Sequence, residues 1–187
     1  MSMIDDFLSD AREHMDKSVE ATRGKFGSVR TGRASPSLLD RITVDYYGAQ
    51  TPLKQLATVS APEARLLTVQ PYDKSSIRNI ERAIQESDVG LVPNNDGQII
   101  RLQIPELTEE RRKQLVKVVR NLAEEGRVAI RNIRRDVMHD LRELRDAGEA
   151  GSDDEHRAEE ALQKLTDEKV KELDGLLKGK EEEILEV

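Results

Sequence analysis

The chain has 187 residues, enough for one or two domains of ordinary size, and it contains no cysteine. Charged residues make up 36% of the chain and hydrophobic residues another 36%, against about 25% charged in an average globular protein, a skew that is typical of long solvated helices. The composition therefore excludes disulfides and cysteine nucleophiles, and no apolar run is long enough to cross a bilayer.

A first long helix is predicted near the start of the chain, from about Ile4 to Val29. Apolar residues recur there at spacings of three and four, so they fall on one face of a helix. A stripe of this kind does not remain exposed to water, and the helix therefore needs other helices to pack against.

The stretch from residue 31 to residue 104 changes to a period of two, which is typical of half-buried strands. The predicted strands are Ile42–Tyr46, Leu67–Val69 and Ile100–Ile104. A short helix centred on Ile80 is predicted between the last two, and Ala61-Pro62 is predicted to be a turn.

Two further long helices are predicted, from about Leu107 to Asp146 and from Ser152 to about Ile184. We expect Ser152 to cap the third helix, and a glycine-containing stretch at 147–151 to form the turn between the two. The predicted apolar stripe of the second helix is Leu115, Val119, Leu122, Gly126, Ala129, Ile133, Val137, Leu141 and Leu144.

These elements predict an α+β protein in which an elongated three-helix bundle carries a small inserted β/α/β domain. The bundle would comprise residues 1–30 and 105–187, and the inserted domain residues 31–104. Because the chain crosses between the two domains twice, we expect the crossings to act as a hinge. The predicted hinge residues are Arg30, Thr31, Gly32, Arg33, Ile104 and Pro105.

The formal net charge of −7 is unevenly distributed along the chain. Residues 147–187 carry −8, whereas residues 111–135 contain nine basic and only two acidic side chains. A local positive excess inside an acidic protein indicates a surface for an anionic partner.

The basic residues of the second helix project within an arc about 100° wide, nearly opposite the apolar stripe. We therefore expect them to point into solvent, with Glu124 as the one acid in the arc. Arginine prevails over lysine here, and its planar fork binds phosphate through two hydrogen bonds, which favours RNA over a merely solvated face. Aromatic residues are few, so folded RNA is favoured over single strands. The predicted RNA-binding residues are Lys113, Lys117, Arg120, Arg127, Arg131, Arg134 and Arg135.

Enzyme chemistry finds little support in the sequence. His14, His139 and His156 are scattered over three predicted helices, and no phosphate-binding glycine loop is present. A hydrolase site in the inserted domain would need clustered acids, which the sequence does not indicate. We predict no catalytic residue, no metal, no cofactor and no enzymatic activity.

Several motifs resemble those of the ribosome recycling factor family, and the resemblance runs along nearly the whole chain. The resembling stretches are residues 29–36 (VRTGRASP), 46–48 (YYG), 51–53 (TPL), 87–91 (SDVGL), 107–113 (LTEERRK) and 131–136 (RNIRRD).

The resemblance implies the same two-domain layout in a hinged, L-like arrangement. It implies a factor that binds ribosomal RNA of the large subunit after termination and, with elongation factor G and GTP, splits the subunits. In the family the arginines of the last motif contact ribosomal RNA, which implies that role for Arg131, Arg134 and Arg135. We expect a cytoplasmic monomer without membrane contact; the alternative is a helical RNA-binding or scaffold protein without recycling activity.

Overall fold

The computed structural model describes residues 2–186, and these contain five α-helices and six β-strands. The chain divides into two compact units. The helical unit runs up to Phe26 and resumes at Val116, and the α/β unit is Gly27–Leu115. These limits lie several residues outside the predicted insertion of 31–104, so all six predicted hinge residues fall within the α/β unit.

The helical unit is a bundle of three long helices, as predicted. They are α1 (Met3–Gly27), the greater part of α4 (Glu109–Asp146) and α5 (Ser152–Leu185). Salt bridges join α1 to both partners: Lys25 Nζ lies 3.3 Å from Glu125 Oε2 of α4, and Lys169 of α5 pairs with Asp16. Helix α1 ends at Gly27, slightly before the predicted limit at Val29.

The turn between α4 and α5 lies where the glycines predict it. Gly148 has a φ of +73°, and the amide of Glu149 donates to the Leu144 carbonyl at 2.9 Å, which terminates α4 in a Schellman motif. The predicted capping role of Ser152 is wrong, since Gly151 occupies the N-cap position and Ser152 is already helical.

The α/β unit contains a two-stranded hairpin, a four-stranded antiparallel sheet and two helices. The hairpin is formed by β1 (Thr43–Tyr46) and β2 (Ala49–Pro52). The sheet has the order β3-β4-β6-β5, with strands at Ala57–Glu63 (β3), Leu66–Pro71 (β4), Pro93–Asn95 (β5) and Ile100–Gln103 (β6). The helices are α2 (Leu53–Leu56) and α3 (Ile77–Glu86). Leu67, Ile80 and Ile100 are fully buried in the apolar core of this unit.

Both edge strands of the sheet were missed by the alternation pattern. Ala61-Pro62 was predicted as a turn but lies inside β3, where the pairing with β4 shifts between Ser60 and Glu63. An edge strand tolerates proline because its outer N–H groups need no partner, and its outer residues need not be apolar. Strand β5 has only three residues and begins with Pro93.

Candidate nucleic-acid interface

Helix α4 buries a stripe that is rotated from the predicted one. Ala123 and Ile130 are fully buried, whereas Leu122, Ala129 and Ile133 are only half-buried. At 100° per residue this moves the centre of the buried side by roughly 30° towards the basic arc. One edge of that arc therefore borders the core instead of lying opposite to it.

The rotation follows from a close approach of the three helices around Gly126. A Cβ atom built on Gly126 would lie 2.5 Å from Thr22 Oγ1 of α1 and 2.6 Å from Leu173 Cδ1 of α5. Small residues such as Gly126 and Ala123 face the neighbours there because larger ones would not fit. Predicting the buried stripe from large apolar side chains does not find this close approach, because the helices come nearest to one another at their smallest residues.

Two arginines on the rotated edge of the arc pair with carboxylates of α5. Arg120 Nε lies 2.7 Å from Glu181 Oε1, and Arg127 Nη2 lies 2.7 Å from Asp174 Oδ1. Arg127 also reaches Glu124 on its own helix at 3.0 Å, and its side chain is only 19% exposed. The expectation that acids are scarce beside this arc is therefore wrong for Arg120 and Arg127, and the expectation that its cations point into solvent is wrong for Arg127 but holds for Arg120.

The pairing further stabilises the charged form of both arginines, which is the form that arginine adopts at ordinary pH with or without a partner. The hydrogen bond and the charge of Glu181 raise the pKa of Arg120 above its usual value. Partial burial lowers the pKa of Arg127, but the hydrogen bonds to Asp174 and Glu124 outweigh it and the net shift is upward. Since most of their charge is matched within the protein, Arg120 and Arg127 offer less to an external phosphate than an unpaired arginine does.

The remaining cations of the arc in the helical unit are more available. We call Lys117, Arg131 and Arg135, which are exposed, the outer cations. Arg131 meets Glu124 only at 3.5 Å, and Arg135 bonds the neutral amide of Asn132 at 2.7 Å. Lys117 has no hydrogen-bond or ion-pair partner among residues 2–186. Exposed pairs such as Arg131 with Glu124 contribute little and exchange readily for a phosphate.

Arg134 differs from both groups. It is half-buried beside α5, yet within the described part of the chain it makes no hydrogen bond or ion pair. Lys113, the first predicted RNA-binding residue, belongs to the α/β unit and approaches Glu109 at 3.7 Å, with its side chain 74% exposed.

The predicted hinge residues lie in two segments that contact each other inside the α/β unit. Gly32 has a φ of +85°, and a Cβ there would lie 3.3 Å from Leu107 Cγ. Thr31 and Ile104 are buried, and Arg30 reaches the Gly90 carbonyl at 3.5 Å. Arg33 and Pro105 are exposed.

Further contacts tie the second segment to the sheet. The amide of Ile104 donates to the Arg65 carbonyl at 2.8 Å, and Arg65 pairs with Glu106 at 2.6 Å. These contacts hold the second segment against the rest of the α/β unit.

The histidines carry no sign of a reactive centre. His139 and His156 each face a glutamate four residues further along the same exposed helix surface, at 3.1 and 3.2 Å. Across residues 2–186 no group of three or more His, Cys, Asp or Glu side chains is placed to hold a metal ion. No helix in the same range is long and apolar enough to span a membrane.

The residues of α5 that face the basic helix are not revealed by the periodicity of either helix alone. Asp174 and Glu181 are seven residues apart, as are their partners Arg127 and Arg120. In two antiparallel helices, acids on one helix and basic residues on the other that share the same spacing of seven residues can pair at successive steps. This shared spacing is the sequence signal that predicts Asp174 and Glu181 as partners of the basic helix.

The fold, three long helices together with an α/β unit, is shared with a family of known proteins. The family described as "Ribosome recycling factor" matches residues 22–185, and the chain belongs to this family. A solution structure of the ribosome recycling factor superposes with a TM-score of 0.82 at 39% identity, covering 100% of both chains.

Individual relatives agree over nearly the full length. The ribosome-recycling factor of Rubrobacter xylanophilus is 57% identical over 180 residues, 96% of this chain and 97% of the relative. That of Halalkalibacterium halodurans is 55% identical over 185 residues, 99% and 100% of the two chains. A structure described as models of the T. thermophilus ribosome recycling factor and the E. coli elongation factor G bound to the E. coli post-termination complex is also similar. It gives a TM-score of 0.70 at 48% identity, and the match covers 99% of this chain and 100% of that one.

Proposed function

We propose that this chain recycles ribosomes: it binds the post-termination ribosome and, with elongation factor G and GTP, separates the two subunits. The observation that carries the proposal is the run of uncompensated cations on α4, including Lys117 and Arg134, in a chain that belongs to the ribosome recycling factor family along nearly its whole length. The relative whose structure is described on a post-termination complex with elongation factor G supports the same partners.

The binding step rests on phosphate neutralisation by the outer cations and Arg134, placed against ribosomal RNA of the large subunit. Each neutralised phosphate releases condensed counterions, so the logarithm of affinity falls with the logarithm of salt concentration by about 0.7 to 0.9 per contact. Arg120 and Arg127, although predicted as RNA ligands, contribute mainly to the joint between α4 and α5. Lys113 has the exposure that a phosphate contact needs.

The splitting step rests on movement at the segments that contain Arg30–Arg33 and Ile104–Pro105, which lie within the α/β unit near the two places where the chain leaves it. The GTPase supplies the work, and this chain transmits displacement without making or breaking a covalent bond. Such a factor acts as a monomer in the cytoplasm, where ribosomes and elongation factor G meet. It needs no cofactor of its own.

Subunit splitting tests the proposal directly. Post-termination ribosomes are mixed with the protein, elongation factor G and GTP, and subunit dissociation is followed by light scattering and sedimentation. We expect splitting that needs all three components, with Arg134→Ala slowing it and leaving the helical content unchanged. Binding without splitting would instead identify an RNA-binding scaffold, and splitting at full rate by Arg134→Ala would overturn the assignment of that residue.

The hinge has its own test in Gly32→Ala. The positive φ and the contact with Leu107 both oppose a side chain at Gly32, so we expect slower splitting with little loss of ribosome binding. Gly97→Ala is the matched control because Gly97 has a similar φ of +89° but nothing within 4 Å of the added Cβ. Equal loss of splitting in both variants would argue against a specific role of the Gly32 segment.

A further inference from the structure

The charged contacts between α4 and α5 repeat along the two helices. Arg120 pairs with Glu181, and seven residues further along α4, Arg127 pairs with Asp174, which is seven residues earlier on α5. Seven residues are two helical turns, so antiparallel helices in this register bring the same faces together at each step. The next step brings Arg134 of α4 opposite Asp167 of α5.

At this third step the ion pair is missing. Arg134 and Asp167 line the same groove between the helices, but Asp167 Oδ1 accepts a hydrogen bond from Gln163 Nε2 at 2.9 Å. Arg134 makes no bond with any residue from 2 to 186. Gln163 sits one turn before Asp167 on α5, so the acid is held along its own helix instead of across the groove.

The groove at this step has a volume of about 360 Å³. Its cations are Arg131, Arg134 and Lys171, and its acids are Asp167 and Asp174. Asp174 is ion-paired with Arg127, whereas Asp167 keeps its negative charge and accepts a hydrogen bond from the neutral amide of Gln163. Lys171 is exposed and, like Arg134, has no partner in the described chain. Three cations thus line the groove against two acids, and Arg134 and Lys171 form no ion pair within residues 2–186.

We infer that this groove is a phosphate-binding subsite for RNA, formed by Arg134 of α4 and Lys171 of α5, and that Gln163 is a positioning residue that keeps the Asp167 carboxylate from forming a direct ion pair with Arg134. The inference rests on the proposed function and deepens it by adding α5 residues to an RNA surface otherwise confined to α4. RNA is favoured over an acidic protein because the positive surface extends from Arg131, which lines the groove, to Arg135 on the same arc of α4. The fork of Arg134 also matches a phosphodiester in geometry.

The lysine is tested through the salt dependence of binding. The affinity of the full-length protein for purified large subunits is measured at several potassium concentrations. Lys171→Gln is expected to make the plot of log affinity against log salt concentration less steep, by the amount that corresponds to about one phosphate contact. Lys178→Gln is the matched control, since Lys178 is an exposed lysine two turns further along α5 that does not line the groove. An equal change in both variants would indicate diffuse attraction and overturn the subsite.

The positioning role is tested by Gln163→Met, which removes the amide donor but keeps the length and helix propensity of the side chain. Asp167 is then free to pair with Arg134, and we expect affinity for the large subunit to fall about threefold to tenfold, a range equal to about 0.7 to 1.4 kcal/mol. Adding Asp167→Asn should restore binding. In an Arg134→Ala background, Gln163→Met should have no further effect, which a purely structural role would not produce.

The outcomes separate this inference from the proposed function. If Arg134→Ala leaves binding intact, the proposed RNA contact itself fails. If Arg134→Ala weakens binding but Gln163→Met and Lys171→Gln do not, only the subsite and the positioning role fail. If Lys171→Gln weakens binding of elongation factor G and not of the large subunit, the groove takes an acidic protein and the RNA assignment is overturned.

Discussion

The two units of this protein are stabilised in different ways. The α/β unit has a continuous apolar cluster that includes Leu67, Ile80 and Ile100, each fully buried. The helical unit combines apolar packing with buried polar groups: Lys169 and Glu155 are 7% and 5% exposed, and each forms a salt bridge to another helix. Apolar side chains can slide slightly against one another and still stay packed, whereas an ion pair requires two particular residues to lie opposite each other. The ion pairs between α4 and α5 therefore fix the position of one helix relative to the other.

The ion pair of the buried Lys169 is an example of stabilisation by paired charges in the helical unit. Burial lowers the pKa of this ammonium, but the hydrogen bond to Asp16 of α1 is the larger effect and the pKa is raised. The side chain therefore stays charged and joins α1 to α5. A basic surface on α4 can keep its arrangement only if the helices beneath it do not slide.

The largest expected effect is on the apolar core. Ile80→Ala should lower the free energy of unfolding of the α/β unit by about 2–5 kcal/mol, because it leaves a cavity beneath α3. Urea denaturation measures this loss of stability. Gln85→Ala, on the exposed side of the same helix, is the control. A loss below 1 kcal/mol would show that this core is not closely packed.

The next effect concerns the close approach of the three helices. Gly126→Ala should destabilise the helical unit by about 1–3 kcal/mol, although alanine favours helix, because the new Cβ would collide with Thr22 and Leu173. Gly175→Ala is the matched control: nothing lies within 4 Å of its Cβ, so we expect stabilisation by up to about 1 kcal/mol. Thermal unfolding compares them, and stabilisation by both variants would contradict the packing described around Gly126.

A smaller and more specific effect separates paired from unpaired arginines. Arg127→Ala removes the shared partner of Asp174 and Glu124, which are about half exposed and become hydrated, so it should cost up to about 1 kcal/mol of stability. Arg134→Ala should leave stability within about 0.5 kcal/mol of the parent but weaken binding to large subunits about tenfold. Chemical denaturation and ribosome binding are measured on both variants. Indistinguishable profiles would remove the distinction between the two arginines.

The smallest effect is a pH dependence in the α/β unit. Arg101, together with the backbone amides of Ile99 and Gln98, holds the pKa of Asp96 well below its ordinary value of 3.8. As the pH falls, the unfolded chain takes up this proton first, so the stabilisation is complete above about pH 4 and is lost progressively at lower pH. Asp96→Asn should therefore lower the melting temperature at pH 7 more than at pH 2, and an equal difference at both values would contradict it.

The sequence predicts the elements of each unit better than it predicts their contacts. Three long helices, the Gly148 turn and the strands around Val44, Leu67 and Ile100 follow from periodicity. Periodicity does not predict the strands β2, β3 and β5, because short strands and edge strands show little alternation of apolar and polar residues and β3 includes Pro62. Local patterns record which side of a segment is buried, not which neighbour covers it.

The same limit applies to the candidate interface. Helical projection finds the basic arc of α4, but it treats α4 as isolated, and so it cannot show that Asp174 and Glu181 neutralise Arg127 and Arg120. The small residues near Gly126, which set the rotation of α4, are uninformative on a scale of side-chain hydrophobicity. Comparing the charge spacing of α4 and α5 would have recovered these pairs, but not the diversion of Asp167 to Gln163.

The two borders of the four-stranded sheet have a consequence for behaviour at high concentration. Strand β3 carries Pro62 and an irregular pairing, and β5 is three residues long and starts with Pro93. Neither border offers a long, regular row of free amides and carbonyls on which another molecule could extend the sheet. We therefore expect the α/β unit to resist strand-mediated self-association even when the helical unit is destabilised.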